Sequence, residues 1–528
     1  MSEKEENKVA YRKNHIINRA KLWFRNPYNL ALFSILLLAF TIRLFYFFML
    51  KQQPLWMDEA EYMAQAKIWA FGYDWYWKFS PRKPVLMSFI FSLLYRIGFS
   101  ESGFRILMLL TSVIAVYLTY LVSSDFFNKK IGLITSFLMS VWWVHLFFTF
   151  RFLTWLPAAT LLLASLHFFY KGYIRKDGSK YIWLFGIFFA LAFLMRVTAG
   201  IMILPIAVYI FLEEKWHFLL NKDLWISLFL MFIVVSPFFI WLYKAYPQDP
   251  LGQFLGIKYG RFSVGKAHGS MGLRGIPAYF RDFPNLLKTT FFLFFIFGLV
   301  FILTDIVLGF DLIFKKEYKY IRFNILAIVW ILLPIVAYGF SRSYVEQRDA
   351  MSFSVFMFSI TSIGILKLYS LIKKYSKIIS ITTIVLLLAL GTYSQLAYGY
   401  NLIKSKKDSY KPVKDACVWI KQQNNEINDT IISKALPQVS YYSELSSIDI
   451  PEKEEDMIKM IKENNVKYFI DSTFEPYWLI PQWSYTWGQR HPELAKPVWA
   501  WLDNPEQPRQ FVIVYEINRT AISQLYSD

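Results

Sequence analysis

The chain has 528 residues, of which 56% are hydrophobic, 20% aromatic and only 18% charged. Soluble domains carry roughly 25% charged residues, so this composition excludes an ordinary soluble protein and favours a membrane protein with many spans. The net charge of +19 comes from basic residues scattered in short loops between apolar stretches, which is typical of membrane topology rather than nucleic-acid binding. The single cysteine, Cys417, excludes an internal disulfide, and the six histidines show no metal-ligand spacing.

A basic N-terminal segment leads into the first long apolar stretch. Seven lysines and arginines precede residue 30, and residues 30–50 then match the roughly 20 apolar residues that a spanning helix needs. No small-residue cleavage site follows, so we predict an uncleaved first span. Because basic residues favour the cytoplasmic side, the N-terminus is expected inside and the next loop outside.

The loop after this span combines adjacent acids with a later basic cluster framed by prolines. Its two parts read Trp56-Met57-Asp58-Glu59-Ala60-Glu61-Tyr62 and Ser80-Pro81-Arg82-Lys83-Pro84. Asp58 could simply cap a helix, with both acids complementing the helix dipole. Acids this close to a bilayer are costly to desolvate, however, and that cost favours a function. A carboxylate in a partly dehydrated cleft can act as a general base on an acceptor hydroxyl or amine.

Further apolar stretches predict ten more spans, and topology decides one short segment. The stretches lie at residues 104–126, 131–149, 154–172, 181–196, 199–214, 222–245, 288–310, 323–340, 350–371 and 377–400. Residues 85–99 are apolar but short. If they lie along the membrane surface, the lysine-rich connections all fall inside, as the positive-inside bias requires. The predicted fold class is a polytopic α-helical membrane protein with about 11 transmembrane helices and interfacial helices in the first outer loop.

From residue 401 the composition changes to dense charge, shorter apolar runs and several prolines. Helical spacing at 413–423 and 454–464 alternates with strand patterns at 430–433, 466–470 and 511–515. We therefore predict a transmembrane domain at 1–400 and a C-terminal extracytoplasmic α/β domain at 401–528. An aromatic group in this second domain suits either an interfacial belt or stacking on a sugar face. Its members are Tyr477, Trp478, Trp483, Tyr485, Trp487, Trp499 and Trp501.

Several basic residues fall in outer loops under this topology, against the general bias. They are Lys83, Arg151, Arg261, Arg274, Arg342 and Arg348. Snorkelling to lipid headgroups would explain part of this set. An anionic ligand at the outer membrane face, most simply a lipid phosphate, would explain it directly, because guanidinium and ammonium groups bind phosphate oxygens strongly.

The order of these motifs resembles that of the C-type integral-membrane glycosyltransferases, which use polyprenyl- or dolichyl-phosphate sugars. Protein O-mannosyltransferases and the lipid A aminoarabinose transferase are members of this superfamily. The motifs that carry the resemblance are Asp58-Glu59-x-x-Tyr62, Phe71-Gly72-Tyr73-Asp74-Trp75, Lys83-Pro84 and Gly98-x-x-Glu101-x-x-x-Arg105. The resemblance extends over roughly the whole membrane part.

The resemblance also implies roles for individual residues. The catalytic step is assigned to Asp58 and its neighbour Glu59. The residues expected to bind the lipid phosphate are Lys83, Arg261, Tyr344 and Arg348. The residues expected to bind substrate are Tyr62, Arg151 and His268. Arg151 could equally be a snorkelling arginine, and the glycine-rich loop around His268 is either a lid over substrate or an ordinary flexible loop.

Two departures from such enzymes affect the expected chemistry. Many relatives carry an acid in the turn after the third span, whereas the stretch Arg151-Phe152-Leu153-Thr154-Trp155-Leu156-Pro157 has none. Before the tenth span the chain reads Arg348-Asp349-Ala350-Met351-Ser352, where relatives often show Arg-Tyr-Leu-Leu-Pro. Without a second acid in that turn, Asp58 is expected to carry more of the chemistry than in a typical member.

We predict a glycosyltransferase that moves a hexosyl or pentosyl group from a polyprenyl-phosphate donor to a protein, glycan or lipid acceptor by one inverting displacement. One alternative is a transferase with a pyrophosphate-linked donor, such as an oligosaccharide transferase or glycan ligase. Another is a transporter or flippase of lipid-linked sugars, although no internal repeat is evident.

The predicted partners are the lipid-phosphate sugar, membrane lipids and the acceptor, and no nucleic acid is expected. No cofactor and no metal ligand are predicted, and a divalent metal ion is left open. The expected location is a prokaryotic plasma membrane crossed many times. In this arrangement the N-terminus is cytoplasmic, whereas the active site and the C-terminal domain are extracytoplasmic.

Overall fold

A computed structural model describes residues 5, 23–75, 85–248, 250, 275–315, 317–341, 344–426, 428–475, 480–506 and 509–525. Within these ranges the chain is mainly helical up to residue 421, and a small mixed sheet follows. Three residues with predicted roles in binding the lipid phosphate (the first two) or substrate (the third), Lys83, Arg261 and His268, lie outside the described residues.

The helices of the first part follow closely one after another. They are α1 (Pro27–Leu50), α2 (Met57–Phe71), α3 (Val85–Arg96), α4 (Glu101–Phe126), α5 (Lys129–Val141), α6 (Trp143–Thr149), α7 (Trp155–Phe169), α8 (Ser179–Met195), α9 (Ile203–Glu214), α10 (Lys222–Ala245), α11 (Gly275–Leu308), α12 (Lys319–Ser341), α13 (Ser354–Lys373) and α14 (Lys377–Lys406). Short 3₁₀ turns at Val197–Met202, Lys215–Leu220, Phe310–Leu312 and Gln347–Ser352 and a π turn at Tyr170–Ile174 connect some of them.

Eight described helices are long and apolar enough to cross a membrane, or nine if the bent pair α5–α6, which meets at 55°, forms one span. The prediction of about 11 spans also counted the stretches that fold as α7 and α8. These helices have 15 and 17 residues. The polytopic α-helical fold is thus confirmed, whereas the number of eleven stays a prediction. The apolar segment expected to lie along the membrane surface is a helix of 12 residues, α3.

The chain divides into two compact units. The first, called the membrane unit, comprises Met1–Phe48, Ile106–Phe150 and Thr154–Ile403. The second, called the loop-and-sheet unit, comprises Met49–Arg105, Arg151–Leu153 and Lys404–Asp528. The loop between α1 and α4 thus belongs with the C-terminal segment. The predicted domains, 1–400 and 401–528, describe a division by membrane location, and that division stays a prediction.

Two helical segments of the membrane unit are interrupted, and one glutamine side chain forms hydrogen bonds with backbone groups at both interruptions. The chain is extended at Trp142 between α5 and α6, and α11 is kinked at Lys288, whose φ is 56°. Gln395 accepts a hydrogen bond from the Trp143 backbone N–H at 3.1 Å and donates to the Leu287 carbonyl oxygen at 2.7 Å. Backbone groups freed by a break in an apolar environment need such partners, so Gln395 stabilises both irregular segments.

A buried arginine donates to a backbone carbonyl oxygen on the other side of the interruption between α5 and α6. Arg43 of α1 is fully buried and donates to the Ser140 carbonyl oxygen at 3.1 Å, near the end of α5. Its guanidinium also lies 2.6 Å from His145 Nδ1 of α6. Since Ser140 lies where the regular helix ends, Arg43 supplies a donor that the next helical turn would otherwise provide.

The loop-and-sheet unit contains a five-stranded sheet with the order β2-β1-β3-β5-β4. Its elements are α15 (Lys411–Lys421), β1 (Thr430–Ile432), α16 (Leu436–Ser443), β2 (Ser446–Ile448), α17 (Glu455–Glu463), β3 (Val466–Ser472), α18 (Ser484–Arg490), β4 (Ala495–Leu502), β5 (Phe511–Ile517) and α19 (Arg519–Leu525). Strand β1 pairs in parallel with β2 and β3, and β5 pairs antiparallel with β3 and β4. The predicted α/β character of this segment is confirmed.

One aromatic residue that was predicted for an interfacial belt or for sugar stacking lies in the hydrophobic core of this sheet. Trp487 is 1% exposed and packs edge-on against Phe469, which in turn stacks on Tyr515. For Trp487 both an interfacial belt and sugar stacking are therefore wrong, because its ring is buried in the core. Tyr477 and Trp478 lie outside the described residues.

The loop between α1 and α4 packs on the α/β elements of the same unit through polar contacts. The Tyr442 hydroxyl accepts a hydrogen bond from the Leu55 backbone N–H at 2.9 Å, and Gln438 donates to the Leu55 carbonyl oxygen at 3.0 Å. Farther along α2, Lys67 forms an ion pair with Glu444 at 2.8 Å. These contacts fix the start and the end of α2, the helix that carries the predicted catalytic acids.

Candidate active site

The two adjacent acids of the first loop stand in the first turn of α2 and differ in environment. Helix α2 begins at Met57, so Asp58 and Glu59 complement the positive end of its dipole. Successive helical residues point about 100° apart, so only one of the two can face a given partner. Glu59 is fully buried, whereas Asp58 is half-buried.

Glu59 binds three donors at once. One carboxylate oxygen, Oε2, accepts from the Trp56 backbone N–H at 2.8 Å and from Arg151 Nη1 at 3.1 Å. The other oxygen, Oε1, accepts from the Phe152 backbone N–H at 2.8 Å. A buried carboxylate with this many charge-assisted bonds is firmly held. Glu59 thus joins the start of α2 to the turn Arg151–Leu153, more than ninety residues away in the chain.

Arg151 is held from two sides. Its side chain is 1% exposed, and its guanidinium carbon lies 3.7 Å from the centre of the Trp56 ring, besides the ion pair with Glu59. Burial lowers the pKa of Arg151 to about 10, so the guanidinium remains charged at neutral pH. A buried charge of this kind needs its counter-ion, and Glu59 provides it.

The turn that carries Arg151 is fixed by aromatic packing as well. The Phe152 ring lies against Phe91 of α3, with centroids 5.7 Å apart, and beneath the guanidinium of Arg105 at 4.8 Å. Arg105 also forms an ion pair with Glu101 at 3.8 Å. The Glu101 and Arg105 motif therefore supports this turn.

Asp58 lies in the electrostatic neighbourhood of a tyrosine from the C-terminal segment. Burial raises the pKa of Tyr410, and the charges of Glu475 and Asp58 raise it further, while Arg151 lowers it. Tyr410 precedes α15 and has a left-handed backbone with φ of 64°. These four side chains thus share one electrostatic environment within the loop-and-sheet unit.

Tyr62, predicted to bind substrate, lies one turn after Asp58 and is 3% exposed. Its backbone carbonyl oxygen accepts a hydrogen bond from the Ser88 hydroxyl at 3.0 Å, which connects α2 with α3. Its role in binding stays a prediction.

Two carboxylates in β3 and just after it were not nominated from the sequence. Both oxygens of Glu475 and one oxygen of Asp471 are buried. Burial raises the pKa of Asp471 to about 8, with a contribution from Glu475, and burial raises the pKa of Glu475 to about 7. The sequence did not identify them as functional, because an isolated acidic residue in or after an apolar strand pattern is typical of the edge of a sheet.

A second polar cluster lies in the membrane unit around Asp349. This residue is fully buried in the 3₁₀ turn before α13 and accepts hydrogen bonds from Trp155 Nε1 at 3.0 Å and from the Tyr279 hydroxyl at 2.7 Å. Arg196 Nη2 lies 3.7 Å from the same carboxylate. Asp349 therefore orients an indole and a guanidinium together.

The Trp155 indole brings two arginines together. The guanidinium carbon of Arg196 lies 3.5 Å from the ring centre and that of Arg348 lies 3.8 Å from it. Both side chains are partly exposed, at 16% and 19%. Arg348 also forms an ion pair with Glu346. Two guanidinium groups thus lie on one indole, each beside a carboxylate, and both are partly exposed, so their N–H groups can also donate to an anion.

Arg348 was predicted to bind lipid phosphate, whereas Arg196 was missed. A signal for Arg196 was present, because it ends the apolar stretch 181–196 on the side that the predicted topology places outside. Tyr344, predicted beside Arg348, is exposed. Among the described residues no group of three or more His, Cys, Asp or Glu side chains could hold a metal ion.

Comparison with known proteins finds one family model that matches part of the sequence. The sequence model of the dolichyl-phosphate-mannose-protein mannosyltransferase family matches residues 82–241. This segment includes Lys83, the turn at Arg151, Trp155 and Arg196. No curated protein matches the sequence.

Solved structures match the fold over most of the chain. ArnT from Cupriavidus metallidurans bound to undecaprenyl phosphate is 11% identical with a TM-score of 0.64, covering 92% of this chain and 97% of that one. AglB, an oligosaccharyltransferase from Archaeoglobus fulgidus in complex with an inhibitory peptide and a dolichol-phosphate, is 12% identical with a TM-score of 0.59, covering 85% and 70%. The chain therefore has the fold of these membrane proteins, and its resemblance to the C-type membrane glycosyltransferases is confirmed.

Proposed function

We propose that this protein is an integral-membrane glycosyltransferase that moves a sugar from a polyprenyl-phosphate donor to an acceptor at the outer membrane face. The observation that carries the proposal is the half-buried Asp58 beside the fully paired Glu59 and Arg151, in a chain with the fold of ArnT bound to undecaprenyl phosphate. A rigid frame around one accessible carboxylate is what a positioned general base requires.

In the proposed reaction Asp58 takes the proton from the acceptor hydroxyl or amine. The acceptor atom forms a bond to the anomeric carbon while the bond from that carbon to the phosphate oxygen breaks. One displacement inverts the configuration at this carbon. Glu59 and Arg151 act as positioning residues, because all of Glu59's hydrogen bonds described above go to the frame. Tyr62 and His268 remain proposed contacts to substrate.

The leaving phosphate needs positive charge, and we assign it to Lys83, Arg261 and Arg348, to which we add Arg196. Tyr344 would donate a hydrogen bond from its hydroxyl. Two contacts support the addition of Arg196. Arg196 and Arg348 both pack on the Trp155 ring, and Asp349 forms an ion pair with Arg196. Groups fixed before the reaction stabilise developing charge without reorganising, and in many enzymes this stabilisation accounts for most of the rate enhancement.

The monophosphate donor is preferred over a pyrophosphate-linked one because the lipids bound in both matching structures, undecaprenyl phosphate in ArnT and dolichol-phosphate in AglB, carry a single phosphate. A hexosyl or pentosyl group, a protein, glycan or lipid acceptor, and a prokaryotic plasma membrane with an outer active site complete the proposal.

Transfer of a radiolabelled sugar from a lipid-phosphate donor into an acceptor fraction, with the purified protein in nanodiscs, tests this function. We expect Asp58→Asn to abolish transfer. Asp456→Asn is the matched control, because Asp456 also stands in the first turn of a helix but is exposed in α17. Equal transfer by the Asp58 variant and the native protein would refute the role of Asp58.

A further inference from the structure

A polar cavity of about 700 Å³ lies within the loop-and-sheet unit, and the reaction proposed above does not use it. Its volume is in the range of roughly 300–1,000 Å³ that small-molecule sites occupy. Five side-chain amides line it, which gives it the name amide pocket; they are Gln423, Asn425, Asn428, Asn464 and Asn465.

The amides of this pocket are oriented by their own hydrogen bonds. Asn425 donates through Nδ2 to the Ile420 carbonyl oxygen at 2.6 Å, and Asn464 donates to the Met460 carbonyl oxygen at 2.9 Å. Gln423 donates in the same way to the Trp419 carbonyl oxygen at 3.0 Å. Because each partner is a carbonyl oxygen, the amide nitrogen must face it, which fixes the amide oxygen on the other side.

One of these oxygens is buried without a partner. Asn425 Oδ1 has no hydrogen-bond partner among the described residues. A buried acceptor in that state costs free energy unless something satisfies it. The pocket therefore offers hydrogen-bond acceptors to a ligand rich in donors.

The charged residues of the pocket add to this preference for donors. Four carboxylates line it, and they are Asp74, Glu426, Glu444 and Glu463. The basic residue in the lining, Lys421, forms an ion pair with Glu444 at 2.9 Å. Glu444 also binds Lys67 at 2.8 Å. A net negative lining disfavours phosphates and other anions and favours a neutral or cationic ligand.

An aromatic wall completes the pocket. Tyr73 and Trp75 stack with ring centroids 4.8 Å apart and an angle of 12° between the planes. Both line the same cavity as the amides. Sites that combine apolar aromatic walls with a few placed polar groups are typical for small ligands.

We propose that the amide pocket binds a neutral saccharide and docks the glycan part of the acceptor. Hydroxyl groups of the sugar donate to Asn425 Oδ1 and to the neighbouring carboxylates, while the apolar face of the sugar ring rests on Tyr73, whose other face stacks on the buried Trp75. Only the docking role depends on the proposed glycosyltransferase function, because saccharide binding does not require transfer.

An array of neutral oligosaccharides, probed with the full-length protein in nanodiscs, tests this site, followed by titration of the tightest member. We expect Asn425→Leu to weaken that binding about tenfold, the effect of losing roughly one good hydrogen bond in a desolvated site. Asn504→Leu is the matched control, because Asn504 is exposed and outside the pocket. An unchanged unfolding midpoint shows that Asn425→Leu folds.

Asp58→Asn separates this inference from the proposed reaction. It should bind the oligosaccharide as tightly as the native protein while transferring no sugar. Absence of binding to any neutral oligosaccharide would overturn the pocket proposal and leave the transferase proposal standing. Binding that Asn425→Leu leaves unchanged would also overturn it, since the saccharide would then sit elsewhere.

Discussion

Replacing Glu59 by glutamine tests whether this residue positions the site or reacts itself. The substitution keeps the size of the side chain but removes its charge, so the buried Arg151 loses its ion pair with Glu59. Glutamine also has one oxygen where three donors converge, so the bond from either the Trp56 or the Phe152 N–H is lost. Breaking a buried ion pair costs about 3–5 kcal/mol, and we expect a loss of stability in that range.

The same change should slow sugar transfer strongly, because Asp58 is the preceding residue in the helical turn that Glu59 fixes. A displacement of about 1 Å at a reacting group can cost roughly 100-fold in rate. Thermal unfolding of the detergent-solubilised protein and the radiolabel transfer assay measure the two effects. Glu455→Gln is the matched control, since this exposed glutamate also lies in the first turn of a helix.

A double variant distinguishes the two roles. Glu59→Gln combined with Arg151→Met removes both charges, and an apolar partner of similar length removes the penalty of a lone buried cation. If Glu59 positions the turn, stability and transfer both recover relative to Glu59→Gln alone. Recovery of stability without any recovery of transfer would refute this reasoning and make Glu59 a reacting group.

Three further predictions address the other clusters. Arg196→Gln should raise the KM for the lipid-phosphate donor about tenfold and leave the KM for the acceptor unchanged; a change in the acceptor KM alone would contradict the phosphate role. Burial raises the pKa of Glu475 to about 7, so the folded state favours its protonated form and stability should fall as pH rises from about 4.5 to 7. Glu475→Gln should reduce this fall in pH-dependent thermal unfolding and leave the part that the raised pKa of Asp471 causes, and an unchanged slope would refute the assignment. Gln395→Leu leaves the Trp143 N–H and the Leu287 carbonyl without this partner, and we expect a loss of about 1–3 kcal/mol in unfolding, with no loss if those groups find other partners.

The class of the fold and several C-terminal elements followed from local patterns. The segment expected to be helical at 413–423 folds as Lys411–Lys421, and the strand pattern at 466–470 lies within Val466–Ser472. Strands β2 and β4 were missed for physical reasons. The first has three residues, two of them serine, and the second is an edge strand that contains Pro497.

The separate tasks of Asp58 and Glu59 could not be read from the sequence. The two acids are adjacent, and a helix start explains both equally well. What distinguishes them is the turn at Arg151, which is distant in the chain and contacts only Glu59 in the hydrogen bonds described. The pairing of Arg196 with Asp349 is likewise long-range. Such pairs depend on how helices pack, which local periodicity does not encode.

The loop-and-sheet unit is built from three separate stretches of chain, and this limits how the protein can change by recombination. A domain joined at one point can be exchanged through a single junction, whereas this unit would need its loop, its three-residue turn and its C-terminal segment to be inherited together. Gln438 and Tyr442 contact the backbone of Leu55, so a foreign C-terminal segment would meet a loop that it does not fit. With the docking role proposed for the amide pocket, acceptor preference should therefore diversify by point substitution within the unit rather than by exchange of a module.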